Sequence, residues 1–420
     1  MQDPAGSEGS VGQRIATFGE LLPRIAEQFN DCGALGIVTF DVSSFASIER
    51  TYGGEAYERV FAAFAAVVAD LLSEQLSVED LVVRGETGRR ELLVLLFREP
   101  SEVDFYKREF EALSQRVAEE LPRKGARVAY PYDKQLPTIH IGTAAALRNP
   151  LIGADSQLRA ALDQSREHAA MVARFESRNR RQRLFELVIE GNIRSVYEPI
   201  VDVETRTVFG YEALARGPEG TELHSPMRLF AMASEQDLLF QLDCLCRKAG
   251  LDGARDLPGG AKLFLNVRPT TIHDPNFRAE ALERTLASCQ LCPSDVVFEI
   301  SEQESIDNFA IFREVRDYYG NLGFKIALDD TGAGYASLEA VMELAPDFIK
   351  VDRAFVSRID EDPARQELLS ALQSVAERLG AQIIGEGLDT LQELETLGRL
   401  GISFGQGWLF GKPHPLRTDT

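Results

Sequence analysis

The sequence predicts an α/β protein in two parts: an N-terminal α+β domain followed by a (β/α)8, TIM-like barrel with an antiparallel first strand. Three observations carry this. The chain has 420 residues, more than one average domain. From about Ser195 onward, short apolar runs alternate with amphipathic stretches of helical length. Nearly every one of those runs stops on a carboxylate, an amide or a lysine. A doubly wound open sheet is the structural alternative.

The N-terminal elements come first. Ile15, Phe18, Leu21, Leu22, Ile25 and Phe29 are spaced as one face of a helix over 11–30. Leu35–Phe40 reads as a buried strand, Tyr57–Leu72 as a helix and Leu92–Phe97 as a strand. Val103–Leu121 reads as a helix and Thr138–Ala146 as a strand. From Asp155 to Glu190 the chain is rich in Leu, Ala and charge, as in a connecting helix. The basic cluster Arg178–Arg183 within it could hold phosphate, but a solvated helix face accounts for it.

Strand candidates of the C-terminal half are Val196–Val203, Val208–Leu214, Lys262–Val267, Val296–Ile300, Lys325–Asp329, Phe348–Asp352, Gln382–Glu386 and Ile402–Gly407. The turn Glu204-Thr-Arg-Thr207 joins the first two as a hairpin. Amphipathic stretches such as 303–321 and 363–379 separate the later ones, so the eight strands match the barrel count.

Composition excludes some classes. With 66 acidic against 45 basic residues, a net charge of −21 argues against wrapping duplex nucleic acid, which needs Lys and Arg on phosphates. The five cysteines are scattered and odd in number, unlike a disulfide framework. Cys289 and Cys292 have zinc-ligand spacing, and Cys244 with Cys246 could be drawn as partners, but no His follows suitably, so free thiols are expected. Met1–Ser10 lacks a signal-peptide pattern and no apolar run reaches spanning length, so a cytoplasmic protein without membrane insertion is expected.

In a parallel barrel the strand ends meet on one rim, where barrel enzymes keep their active sites. The ends carry Glu212, Asn266, Glu299, Asp329, Asp330, Lys350, Asp352, Glu386 and Gln406. Each alone has an ordinary explanation, since an Asp or Asn after a strand is often only a helix cap. Five or six converging carboxylates are different, because they repel one another and need a cation. Oxygen donors without His or Cys suit Mg²⁺ or Mn²⁺. Two such ions are the usual apparatus of phosphodiester cleavage. Lys350 could steady a water or neutralise the cluster, and Arg216 could hold a phosphate or a surface carboxylate.

In order along about 220 residues, these stretches resemble the EAL family. The matches are Glu198-Pro-Ile200, Tyr211-Glu-Ala-Leu-Ala-Arg216, Phe264-Leu-Asn-Val267, Phe298-Glu-Ile-Ser-Glu302, Ala327-Leu-Asp-Asp-Thr-Gly-Ala-Gly-Tyr335, Ile349-Lys-Val-Asp-Arg353, Gly385-Glu-Gly387, and Gln406-Gly407 with Lys412-Pro413. The resemblance implies a phosphodiesterase that opens cyclic di-GMP to linear pGpG with two ions, Mg²⁺ or Mn²⁺. It puts Glu212, Asn266, Glu299, Asp329, Asp330 and Glu386 on the metal, and Lys350, Asp352 and Glu302 on the chemistry or its loop. Glu198, Leu214, Arg216 and Gln406 fall beside the substrate. Three departures stand out: Glu198 for the family's Gln, Arg268 for its Ser, and Thr331 and Ala333 in the loop after Asp330.

The N-terminal half resembles a degenerate GGDEF domain through Phe40-Asp-Val-Ser-Ser-Phe45, Ile48, Tyr52-Gly53 and Thr138-Ile-His-Ile-Gly142. Its signature turn is broken, with Arg89 and Arg90 for a Gly and an acid, and Glu49 and Tyr57-Glu58 stand at other substrate positions. Asp41 survives, facing Arg90 in this reading, so no cyclase activity is expected. The resulting layout is a GGDEF-like domain over 1–154, a connecting helix over 155–190 and an EAL barrel over 191–420. A homodimer and a protein partner of the first domain are further expectations. The alternative function is a silent receptor that binds cyclic di-GMP and signals through the connecting helix.

Overall fold

The computed structural model describes residues 14–133, 136–301, 309–331 and 337–416. The chain forms two compact units, Met1–Asn179 and Arg180–Thr420. The division falls inside one long helix, α5 (Ala154–Glu190).

The first unit is built on an antiparallel sheet of order β2-β3-β1-β4, from β1 (Ala34–Asp41), β2 (Leu81–Arg84), β3 (Glu91–Phe97) and β4 (His140–Leu147). Alternation along the strands gives it two cores. Leu35, Ile37, Leu93 and Leu95 face helix α1 (Phe18–Cys32) and the start of α5, against Phe18, Ile25 and Leu158. Val38, Phe40, Val94 and Leu96 face the opposite way, against Val60, Phe64 and Val117. Gly142 is required for the close crossing of β4 and α5: a Cβ there would lie 1.9 Å from the Ser165 carbonyl oxygen.

Helix α1 starts later than its periodicity suggests, because Thr17 and Glu20 form a capping box, and it ends at Gly33 in the left-handed region. In this unit the sequence reading passed over β2 and the helix Ala46–Tyr52, each too short to show a period.

The second unit is a closed eight-stranded barrel of β5 (Arg194–Asp202), β6 (Val208–Arg216), β7 (Lys262–Asn266), β8 (Val296–Ser301), β9 (Lys325–Thr331), β10 (Phe348–Val351), β11 (Gln382–Gly385) and β12 (Phe404–Gln406). Strands β6 to β12 run parallel and β5 antiparallel to both its neighbours. The β5–β6 hairpin closes as expected: the Asp202 carboxylate accepts the Glu204 and Thr205 amides, and Arg206 takes the left-handed conformation. On the outer face of the barrel strands, Val296, Phe298, Ile326, Ile349 and Ile383 pack under the helices.

All five cysteines are free. Among the described residues no helix is long and apolar enough to cross a membrane.

Candidate active site

Inside the barrel, period-2 alternation puts an apolar plug and a polar layer on successive inward positions. The plug consists of Ile200, Phe264, Val297, Ala327, Phe348, Ile384 and Phe404, with Phe209 stacked on Phe404 at 4.0 Å between centroids. Two residues further along β7 to β12 stand Asn266, Glu299, Asp329, Lys350, Glu386 and Gln406. Phe264, Val297, Ala327, Phe348, Ile384 and Phe404 thus each support one member of the site. Glu212 joins from β6 in register with Glu198 on β5.

Lys350 is the hub. Its Nζ lies 2.8 Å from Glu299 Oε1, 2.8 Å from Glu386 Oε1, 3.1 Å from Glu212 Oε2 and 3.3 Å from Asp329 Oδ1. Asn266 Nδ2 donates to Glu212 Oε1 (3.1 Å) and Glu299 Oε2 (3.0 Å). Gln406 Nε2 donates to Glu212 Oε2 (2.6 Å) and Glu198 Oε2 (3.2 Å).

Asp330 completes the acid group by an unusual backbone. Neighbouring residues of a strand face opposite sides, yet Asp330 sits at φ +58, and the β9–β10 register shifts between Ile349 and Val351. Oxygen atoms of Asp329, Asp330 and Glu386 consequently lie within 4.8 Å of one another. A left-handed aspartate at a functional rim is strain held in place by its surroundings.

The electrostatics follow from one ammonium among several carboxylates. Burial, reinforced by the Glu212 charge, pushes Glu299 well above the usual carboxylate range. Burial also carries Glu386 to about 8 in spite of Lys350. Asp330 and Glu198 are raised, chiefly by burial. Burial opposes the charge on Glu212, but Lys350, Gln406 and Asn266 outweigh it and hold that carboxyl below its usual range. Burial would strip Lys350 of its proton; Asp329, Glu212, Glu299 and Glu386 keep it protonated well above an ordinary lysine.

Excess negative charge on oxygen donors alone fits a hard divalent cation. Glu299 Oε1 and Asp329 Oδ1 are buried without a hydrogen bond, and both face the single ammonium of Lys350.

Other expected residues take separate places. Asp352 is not among the groups around Lys350: its Oδ1 accepts the Ala354 amide at 2.8 Å, capping the helix Arg353–Val356. Arg216 is half-buried, which lowers its pKa, and donates to the Ala215 carbonyl oxygen. Leu214, Asn266 and Arg268 line a cavity of about 240 Å³. Glu302 and the loop residue Ala333 lie outside the described residues.

The sequence reading missed the wall of that cavity. Arg247 is fully buried, ion-paired to Asp243 and, at 2.9 Å, to Asp274, with its guanidinium 4.6 Å from the Phe277 ring. The signal available was the i,i+4 acid–base pair Asp243 and Arg247 in the helix Leu239–Asp252, which carries a second such pair, Lys248 and Asp252, at its exposed end.

The fold and site together define a barrel protein with an acid-lined polar rim. The chain belongs to the EAL domain family, whose description matches residues 181–413. It is 31% identical over 231 residues to the probable cyclic di-GMP phosphodiesterase PdeG of Escherichia coli K12, covering 53% of this chain and 45% of that protein. It is 30% identical over 229 residues to the cyclic di-GMP phosphodiesterase RocR of Pseudomonas aeruginosa PAO1, covering 54% and 58%. The chain therefore spans about half the length of these curated relatives. The Xanthomonas citri FimX EAL domain, solved in complex with c-diGMP, shares the fold at TM-score 0.53 and 19% identity, over 59% of this chain and 98% of that one. The family match does not extend over the N-terminal unit.

Proposed function

We propose that the barrel, over 191–420, is a cyclic di-GMP phosphodiesterase producing linear pGpG. The observation that carries this is the convergence of Glu212, Glu299, Asp329 and Glu386 on one buried lysine, with Asp330 beside them. Glu212, Asn266, Glu299, Asp329, Asp330 and Glu386 would hold two divalent ions, Mg²⁺ or Mn²⁺. Bound there, the ions would supply Lewis-acid polarisation of the phosphodiester and an activated water.

The chain's own residues do the rest. Lys350, kept protonated by its neighbours, balances charge as the phosphorane-like transition state forms. Asn266 and Gln406 fix the rotamers of Glu212 and Glu299 through their amide hydrogens, so the donors are oriented beforehand. The Phe264, Phe348 and Phe404 plug closes the barrel beneath, keeping water out of the floor. Glu198, Leu214 and Arg216 border the substrate. Asp352 positions the turn after β10.

The N-terminal unit is proposed as a non-catalytic, GGDEF-like regulatory domain over 1–154, joined through the 155–190 helix, with homodimerisation or a protein partner as its output. Its support is charge. Arg90 is ion-paired to Glu49 at 2.6 Å, and Arg84 grips Glu58 with two hydrogen bonds, so the groups around the altered signature already neutralise each other. Arg90 pairs with Glu49 rather than with Asp41, whose carboxylate accepts the Ser43 amide.

The test is a chromatographic assay of the full chain with cyclic di-GMP and Mg²⁺ or Mn²⁺. Appearance of the linear dinucleotide supports the enzyme; binding without product supports a receptor instead.

A further inference from the structure

The chain contains one tryptophan, Trp408, and it stands 58% exposed, two residues beyond Gln406 on the rim. An indole left partly in water keeps ring surface open for a planar partner to stack on. The segment that carries it is pinned. The Leu388 amide donates to the Gln406 carbonyl oxygen and the Leu409 amide to the Leu388 carbonyl oxygen, each at 3.0 Å. Between them Gly407 lies at φ +153, and a Cβ there would sit 2.3 Å from the Leu388 nitrogen. Only glycine lets the two rim segments approach so closely.

Two cations attend the ring. Lys412 Nζ is 4.8 Å from its centroid and the Arg353 guanidinium carbon 6.0 Å, with Arg353 tied to Asp389. Three successive strands thus each supply an inner residue and, two or three positions later, an outer one: Lys350 and Arg353, Glu386 and Asp389, Gln406 and Trp408. A half-exposed indole with two cations over its ring, one layer outside an acid site, suits a nucleotide, whose base stacks on the part of the ring left open while its phosphates meet positive charge.

We propose that Trp408, with Lys412 and Arg353 beside it, is a stacking platform for one guanine base of cyclic di-GMP. The proposal rests on the function given above and adds the outer half of the ligand's recognition. The platform contributes to binding and not to the chemical step.

As the sole tryptophan, Trp408 reports on itself. Its emission should change saturably when the full chain is mixed by stopped flow with cyclic di-GMP before turnover, and with 5′-GMP, but not with ribose 5-phosphate. Trp408→Ala should raise KM by roughly 5- to 100-fold, the range for losing one base–aromatic stack, with kcat within about 2-fold. Trp408→Phe should recover most of the loss. An equal response to ribose 5-phosphate would show phosphate contact alone and overturn the stacking. Unchanged emission together with a wild-type KM in Trp408→Ala, while turnover proceeds, overturns the platform and leaves the enzyme standing. A wild-type chain that neither binds nor cleaves cyclic di-GMP overturns both.

Discussion

Lys350 Nζ and Glu299 Oε1 lie 2.8 Å apart in a site that hides both side chains from solvent, and among the described residues Glu299 faces no second cation. A buried ion pair of this kind costs more in desolvation than it returns unless its geometry is fixed and its remaining oxygens are satisfied. Here Asn266 satisfies one Glu299 oxygen and Lys350 faces the other. The arrangement serves the charge balance of the site rather than the stability of the barrel.

Lys350→Ala separates the two roles a lysine can have there. If it acts on transition-state charge, kcat falls by about 10²-fold or more while the affinity for cyclic di-GMP changes little. A purely structural counter-ion would show instead as lost metal affinity or lost stability. Steady-state kinetics and metal titration on the same variant distinguish them.

Glu212→Ala should abolish measurable hydrolysis and weaken Mn²⁺ binding, since Glu212 accepts from Asn266, Gln406 and Lys350 at once. Asn266→Ala should give a milder loss, about 10- to 100-fold, as for a group that orients metal ligands. Isothermal titration with Mn²⁺ checks the order.

The barrel was legible because β7 to β12 repeat one pattern, an apolar inward residue followed two positions later by a polar one, as in Phe348 and Lys350. Convergence of the rim acids followed from parallel strands alone. What was not legible has physical reasons. The four-residue β2 has no period to read. The left-handed turn at Asp330 depends on a register shift with β10, a tertiary feature. The Arg247 triad joins Asp243 to Asp274 across 31 residues, and an i,i+4 pair in isolation signals only a surface bridge. Asp352 shows the opposite outcome: the ordinary reading of an aspartate after a strand, a helix cap, describes its contact.

That triad sets a stability prediction. Arg247→Ala leaves Asp243 and Asp274 buried without their counter-ion and should cost about 3–5 kcal/mol in urea unfolding. Arg247→Met with Asp243→Asn should recover part of it. Phe277 would lose its cation contact in either variant.

Acid sensitivity follows from Asp274. Burial opposes its charge, but the Asn276 amide and Arg247 outweigh this and hold its carboxyl below the usual range. A folded-state pKa below the unfolded one contributes stability that is present above about pH 4 and lost as pH falls further. The urea midpoint should therefore drop from pH 5 to pH 3, and drop less steeply in Asp274→Asn.

With Arg89 and Arg90 in the altered turn and Arg84 and Arg90 already paired, the full chain should form no cyclic di-GMP from GTP in Mg²⁺ or Mn²⁺. Radiolabelled GTP incubated with a Glu212→Ala chain, which cannot remove the product, checks this; accumulation of labelled cyclic di-GMP would reverse the assignment of the N-terminal unit.

The most direct measurement of the central claim is single-turnover hydrolysis of cyclic di-GMP by the full chain, with Mg²⁺ or Mn²⁺ and with chelator. The account predicts metal-dependent conversion to linear pGpG, abolished in Glu212→Ala. Saturable binding of cyclic di-GMP with no linear product in either metal would contradict it.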